Sequence, residues 1–225
     1  MLQITDTWKA AYPEAHAGIL VVRGAANPPQ DAGLEKRKTD LETELRARFS
    51  SFDRPALLRL PELRAYDEYY RRFKKTYHLQ LQLESIVFKG KPIPSVAALV
   101  EAMFMAEVEN LLLTAGHDLD VLRLPLTLDA AGGTETYTLL RGDAQILKAG
   151  DMYIRDGEGV ISSVIYGPDR RTQIRPETKN AVFTAYAPPG ITGEAVKNHL
   201  EHILRNIKLF APEAVGETLE VIGGR

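Results

Sequence analysis

Cysteine is absent from this chain of 225 residues. Its absence excludes disulfide bonds, a cysteine nucleophile and metal sites built on thiolates. An excess of positive charge is also lacking, because 28 Lys and Arg residues stand against 30 Asp and Glu residues, for a formal net charge of −2. Any binding to nucleic acid must therefore use a local basic patch rather than the charge of the whole molecule.

Long apolar runs are missing as well. No run approaches the ~20 residues that a helix needs to cross a bilayer. Residues 1–30 also lack the basic segment followed by an apolar core that marks a signal peptide. We therefore expect a cytoplasmic protein with no membrane partner. The sequence leaves its oligomeric state open.

What is present is the composition of a globular protein, with 44% hydrophobic and 26% charged residues. This balance argues against disorder, and a chain of this length hides roughly 70% of the surface of its unfolded state. Because no internal repeat or long linker is evident, we expect one domain that spans residues 1–225.

The first half of the chain has mainly helical periodicity. A short buried strand is predicted at 17–23, where a continuous apolar run contains β-branched residues. Apolar residues then recur at three- and four-residue steps, which is typical of helices. The predicted helices are 31–49, a helix opened by Pro61 whose apolar stripe continues to Tyr77, 80–89, and 96–115 with Ser95 as its N-cap and Gly116 as its end.

The second half changes to short strands separated by glycine turns. These predicted strands are 124–128, 136–140, 152–155, 160–166 and 181–187. An amphipathic helix at 194–210 and an edge strand at 218–222 complete the chain. Because helices precede strands, the pattern predicts an α+β fold, in which a helical N-terminal half packs on an antiparallel or mixed β-sheet and a C-terminal amphipathic helix follows.

An ordered set of short motifs runs from Tyr69 to Pro189. Its members are Tyr69-Tyr70-Arg71-Arg72-Phe73, Lys89-Gly90-Lys91-Pro92-Ile93-Pro94-Ser95, Gly116-His117-Asp118-Leu119-Asp120, Asp169-Arg170-Arg171-Thr172 and Glu177-Thr178-Lys179-Asn180-Ala181. In this order they resemble the B3/B4 domain of the phenylalanyl-tRNA synthetase β-subunit, here as a free-standing protein with 69–189 as its best-supported core.

This resemblance implies a function in tRNA editing. In the synthetase, the domain hydrolyses the ester of tRNA that carries the wrong amino acid. The family resemblance therefore implies a pocket for an aminoacyl group and a surface that receives the aminoacylated 3′ end of tRNA. Water attacks the ester without a protein nucleophile, because position and aligned dipoles are sufficient for an activated ester.

The same resemblance suggests which residues form the pocket. The candidate catalytic residues are His117, Asp118 and Thr184, and the candidate substrate-binding residues are Ser162, Ser163, Tyr166, Asn180 and Tyr186. An acid beside a histidine can fix its tautomer and let it polarise water. By strand alternation, Ser162 and Tyr166 are expected on one face. The alternative for the histidine segment is a polar loop at a helix end, and for the strand residues it is ordinary sheet surface.

Four positions differ from the family, and two of them are Ser162 and Ser163, which stand near small glycines of the family's pocket wall and would narrow it or add hydroxyls. Thr184 stands where the synthetase has a glutamate that grips the tyrosine hydroxyl, and Ala115 stands where it has a histidine. A threonine hydroxyl accepts a phenol proton more weakly than a carboxylate does. These differences favour an alternative function, a non-catalytic module that binds an amino acid, a nucleotide or RNA.

Two basic clusters are candidate RNA-binding surfaces, since each phosphate contact adds a salt-dependent increment to affinity. Their residues are Arg71, Arg72, Lys74 and Lys75 in the first cluster, and Arg170, Arg171 and Arg175 in the second. The alternative for both is a solvated charged surface. His199 and His202 stand three residues apart on a predicted helix, a spacing that metal sites use. No third ligand is evident, so we predict no metal and no cofactor.

Overall fold

The structure is a computed structural model that describes residues 1–224. Seven α-helices lie in this range: α1 (Asp6–Ala11), α2 (Ala32–Arg48), α3 (Arg54–Leu57), α4 (Pro61–Arg71), α5 (His78–Lys89), α6 (Ala98–Asn110) and α7 (Gly193–Lys208). The strands are β1 (Leu2–Ile4), β2 (His16–Arg23), β3 (Leu113–Asp118), β4 (Leu126–Ala130), β5 (Thr136–Thr138), β6 (Ala144–Ile146), β7 (Met152–Arg155), β8 (Val160–Ser163), β9 (Gly167–Pro168), β10 (Ala181–Ala187) and β11 (Val215–Gly223).

The strands form two principal sheets and one small hairpin. The four-stranded sheet is antiparallel, in the order β11-β2-β10-β3. The five-stranded sheet has the order β1-β4-β7-β8-β9 and is mixed, because β1 runs parallel to β4. Strands β5 and β6 pair with each other. The α+β class, the mixed and antiparallel sheets and the C-terminal helix are as the sequence predicts.

The four-stranded sheet lies between a helical layer and the five-stranded sheet. On its helical face, a Cβ atom added at Gly18 of β2 would come within 2.7 Å of Val196 and Leu200 on α7. On the same face, a Cβ atom at Gly116 of β3 would meet Met103 of α6 at 3.2 Å. Because glycine has no side chain, helices α6 and α7 can pack close to the backbone of the sheet at these two positions.

Helix α4 connects the helical half of the chain to both sheets through hydrogen bonds. Its tyrosine stripe is buried, as the spacing predicts, and the hydroxyl groups reach across layers. Tyr70 donates to the carbonyl of Val164 at 2.6 Å, and Tyr66 donates to the carbonyl of Tyr186 in β10. Tyr77 lies beyond the end of α4, yet its ring stacks on that of Tyr66 with centroids 4.3 Å apart.

The prediction of one helix over 96–115 is wrong. Helix α6 ends at Asn110, Leu111 takes a left-handed conformation with φ of 62°, and 113–118 forms strand β3. A continuous apolar run has the same appearance in a buried helix and in a buried strand, so periodicity does not separate the two. Gly116 is therefore a strand residue and not the end of a helix.

The start of α6 also differs from the prediction. Its N-cap is Ala97 rather than Ser95, and the side chain of Ser95 instead accepts a hydrogen bond from Lys38 at 2.7 Å. The carboxylate of Glu101 accepts from the backbone N–H of Val96 at 2.7 Å, which satisfies a donor near the helix start.

Candidate functional site

Three predicted site residues meet between the two sheets. Thr184 and Tyr186 are two residues apart on β10 and share the face that lies toward the five-stranded sheet. The hydroxyl of Tyr186 is hydrogen-bonded to that of Ser162 on β8. We call Ser162, Thr184 and Tyr186 the hydroxyl cluster. The structure thus brings together residues that lie 24 positions apart in sequence.

The hydroxyl cluster is closed to solvent. Each of its three side chains is at most 1% exposed. Burial raises the pKa of Tyr186 above its usual value, against the opposite effect of the Ser162 and Thr184 hydroxyls. Thr184 also donates to the carbonyl of Ala115 at 3.4 Å. A ligand therefore cannot contact these hydroxyls in this conformation of the protein.

Asp151 is a buried carboxylic acid that the sequence reasoning missed. It follows Gly150 at the start of β7, and its Oδ1 accepts a 2.7 Å hydrogen bond from the hydroxyl of Tyr69. Burial raises the pKa of Asp151 to about 7, while the hydroxyls of Tyr69 and Ser163 act in the opposite direction. A carboxyl with this pKa can both accept and donate a proton near neutral pH.

Ser163 belongs to the surroundings of Asp151 and not to the hydroxyl cluster, because successive residues of β8 point to opposite faces. Tyr166 lies beyond β8, which ends at Ser163, so the expected alternation with Ser162 does not hold. A turn at 164–166 separates the two residues. Tyr166 packs instead on a small apolar cluster that includes Tyr137 and Leu139.

His117 is buried on β3 beside the hydroxyl cluster. It pairs in register with Val182, two residues before Thr184 on β10. Its Nδ1 lies 2.8 Å from the hydroxyl of Thr172, which in turn donates to Asp169. Burial lowers the pKa of His117 to about 3, so the imidazole is neutral at physiological pH.

Asp118 does not orient this histidine. Consecutive residues on a strand point to opposite faces, and Asp118 binds elsewhere. Its carboxylate accepts from the hydroxyl of Thr178 at 2.6 Å and from the backbone N–H of Asp120 at 3.0 Å. The partner of His117 is therefore Thr172 rather than the neighbouring acid.

Asn180 lies at the far end of β10 from Tyr186. Six residues of extended strand separate them, which is about 20 Å. The side-chain amide of Asn180 donates to both carboxylate oxygens of Asp120 at 3.0 Å, and its oxygen accepts from the backbone of Gly24. Asn180 therefore closes a loop and is not brought to the hydroxyl cluster.

The first basic cluster divides between two cavities. Arg71 and Lys75 line a cavity of about 350 Å³ together with Arg54. Arg72 lines another cavity, of about 170 Å³, and lies above the rings of Tyr12 and Tyr69 at 5.2 and 5.8 Å from their centroids. Lys74 is exposed and has a left-handed φ of 56°.

The second basic cluster contains one arginine that is already bound. Arg171 forms ion pairs with Asp156 at 2.7 Å and with Glu158 at 3.3 Å. Arg170 and Arg175 are exposed, and no ion pair to either is found within residues 1–224. Only these two arginines of the cluster therefore present a charge that is not already paired.

The two histidines on α7 already have partners. Nδ1 of both His199 and His202 faces the side-chain amide of Asn110, at 3.0 and 3.2 Å. Nε2 of His199 lies 2.6 Å from the hydroxyl of Thr114, and Nε2 of His202 lies 3.3 Å from Glu109. Across residues 1–224, no group of three His, Asp or Glu side chains is arranged to hold a metal ion. In the same range, no helix combines the length and the apolar character needed to cross a membrane.

Comparison with known proteins adds a structural neighbour. No family model matches the chain, and no curated protein matches its sequence. Among solved structures, it resembles an N-terminal fragment of the phenylalanyl-tRNA synthetase β-subunit from Pyrococcus horikoshii, with a TM-score of 0.51 and 12% sequence identity. The likeness is one of fold. It covers 98% of this chain and 50% of that fragment, so the chain spans about half the length of its neighbour.

Proposed function

We propose that this chain binds tRNA as a free-standing B3/B4-like protein and receives the aminoacylated 3′ end. The fold supports the proposal, since nearly the whole chain superposes on a fragment of a protein named for its work on tRNA. The observation that carries it is the cavity of about 350 Å³ whose wall contains Arg54, Arg71 and Lys75. With a net charge near zero, such a local group of cations is what RNA binding requires.

The cations of this cavity have exposed side chains. Arg54 and Arg71 are 57% and 71% exposed, and each makes one ion pair with a largely buried acid, Glu84 at 12% and Asp67 at 17% exposure. Because a guanidinium has five N–H donors, a phosphate can bind each arginine while its acid stays in place. Lys75 is exposed and has no ion pair within the described residues 1–224.

Equilibrium binding of labelled tRNA tests the proposal. The wild-type protein should bind with an affinity that falls as salt rises, and replacing Arg54, Arg71 and Lys75 together by glutamine should flatten that dependence. The matched control removes three exposed lysines on α2 and α7, by Lys36→Gln, Lys197→Gln and Lys208→Gln. An equal loss of tRNA affinity in both triple variants, or no tRNA binding by the wild type, would overturn the proposal.

Hydrolysis of the aminoacyl ester is a second candidate function, and Asp151 favours it. A carboxyl with a pKa of about 7 beside Ser163 can take a proton from water. Incubation with a panel of mischarged tRNAs should then shorten ester lifetimes, and Asp151→Asn should slow the reaction. Ester lifetimes equal to those in buffer across the panel would remove this candidate.

A further inference from the structure

Two surface cavities are joined by one pair of side chains. Lys75 lines the cavity of about 350 Å³ already described. Its Nζ lies 5.7 Å from the ring centroid of Tyr166. Tyr166 in turn lines a second cavity of about 210 Å³, with Leu139, Leu140, Arg141 and Pro168. This cation–π distance places the Lys75 wall of the first cavity beside the Tyr166 wall of the second, and we call the two cavities with this pair the cleft.

The two ends of this cleft differ in chemistry. The first cavity has three cationic side chains, Arg54, Arg71 and Lys75, against one acid, Asp67. The second is bounded by an aromatic ring, a proline and leucines, and Leu140 is 47% exposed. A ligand that fits both ends therefore carries negative charge and a flat apolar group.

We propose that the cleft bridged by Lys75 and Tyr166 is a binding site for single-stranded RNA, with phosphate on the cationic side and an unpaired base on Tyr166 and Leu140. Single-stranded nucleic acids are held in this way by cations that follow the backbone and aromatic rings that stack on bases. A base inside a duplex has both faces covered, so it cannot stack on Tyr166. The inference rests on the proposed function, because it assumes that RNA is the ligand.

The position of Lys75 supports this arrangement. The chain ends helix α4 at Arg71 and turns at Lys74, whose left-handed φ of 56° is uncommon outside glycine. Lys75 follows the turn, and its backbone N–H donates to the carbonyl of Tyr70 at 3.1 Å. Its ammonium group is therefore presented from an anchored backbone to the first cavity and to the ring of Tyr166.

Binding of short labelled oligonucleotides to the full chain tests the site. Single-stranded RNA should bind more tightly than a duplex of the same length. Tyr166→Ala should lower affinity about 5- to 150-fold, the range for one base–aromatic stack, while Tyr166→Phe keeps the ring and stays within about twofold of wild type. Leu140→Ser, at an exposed position outside the core, should also lower affinity and covers the case in which Tyr166→Ala disturbs folding.

Salt dependence tests the phosphate end. Lys75→Ala should reduce the slope of log affinity against log salt by about 0.7, the value for one phosphate contact on a single strand. Lys197→Ala removes an equal charge on α7 and should leave the slope unchanged. Affinity and slope that stay at wild-type values in Lys75→Ala, Tyr166→Ala and Leu140→Ser overturn this site. If tRNA still binds in that case, the proposed function stands without it, and if no RNA binds to the wild type, both fall.

Discussion

The hydroxyl of Tyr69 on α4 donates a 2.7 Å hydrogen bond to Oδ1 of Asp151 at the start of β7. The same hydroxyl accepts from the backbone N–H of Met152 at 2.6 Å. One phenol thus joins the helical half of the chain to the five-stranded sheet. Asp151 lies in the interior of the protein, so a negative charge on its carboxylate lowers the free energy of unfolding.

Asp151 should make stability fall as pH rises. Burial raises its folded pKa to about 7 from a usual value of 3.8. A raised folded pKa means that the neutral carboxyl stabilises the fold, fully below about pH 4, and that this contribution is lost as pH rises through about 7. Asp151→Asn stays neutral, so its stability relative to wild type should increase by roughly 2–3 kcal/mol between pH 5 and pH 8.

Urea unfolding of both proteins at the two pH values measures this difference. Titrations shared by wild type and variant cancel in the comparison, so only the group at position 151 contributes. A constant difference between the two proteins at pH 5 and pH 8 would show that Asp151 is not buried as described.

Gly18→Ala should destabilise the contact between β2 and α7. The new Cβ would lie 2.6 Å from Val196 Cγ1 and 2.7 Å from Leu200 Cδ1, so these side chains or the helix that carries them must shift. Overpacking of a core costs about 1–3 kcal/mol. The control is Gly132→Ala, where the nearest atom is a Glu135 carboxylate oxygen at 3.4 Å. Thermal unfolding that ranks the two variants as equal would contradict the packing of α7 on the sheet.

Tyr66→Phe should cost about 1–3 kcal/mol because two buried backbone groups lose their partner. The Tyr66 hydroxyl donates to the carbonyl of Tyr186 and accepts from the N–H of Leu113 at 2.8 Å. Tyr166→Phe removes a hydroxyl with no hydrogen bond to residues 1–224 and serves as the matched control. The free energy of unfolding measured in urea should fall for Tyr66→Phe alone, and a fall of the same size in both variants would contradict the prediction.

Arg171→Ala should affect folding more than RNA binding. The guanidinium binds Asp156 at 2.7 Å and the carbonyl of Val121 at 3.2 Å, so its loss should lower stability by about 1–3 kcal/mol. Arg170→Ala, at an exposed neighbouring position, should change stability by less than about 0.5 kcal/mol. Unfolding free energies in the reverse order would show that the ion pairs of Arg171 do not support the fold.

The local sequence pattern was sufficient to predict helices and strands where it fits only one kind of secondary structure. The strands at 152–155 and 181–187 match β7 and β10 residue for residue, and the helix predicted at 31–49 is α2 with one residue fewer at each end. A β-branched run bounded by turns predicts a strand, and a regular apolar stripe predicts a helix. Each of these segments fits only one of the two patterns. The edge strand predicted at 218–222 lies within β11, at the edge of its sheet.

Features set by distant contacts could not be predicted. The sequence predicts a helix where strand β3 lies, because the apolar run fits both structures and the pairing that decides between them is with β10, 63 to 73 positions later. The local sequence does not indicate that Asp151 is buried, because an aspartate after a glycine is typical of a turn. Its position in the interior depends on packing with Tyr69, which is distant in sequence. The pairing of Lys75 with Tyr166 spans 91 positions and follows only from the fold.

Photo-crosslinking from the 3′ end of tRNA tests the central claim most directly. A photoreactive group on the terminal nucleotide, followed by mass spectrometry of the cross-linked peptides, locates the bound end on the protein. We expect cross-links at 71–76 and 139–168, the two sides of the cleft that Lys75 and Tyr166 bridge. Cross-links confined to the α7 surface, or none above the level of a non-binding protein, would contradict it.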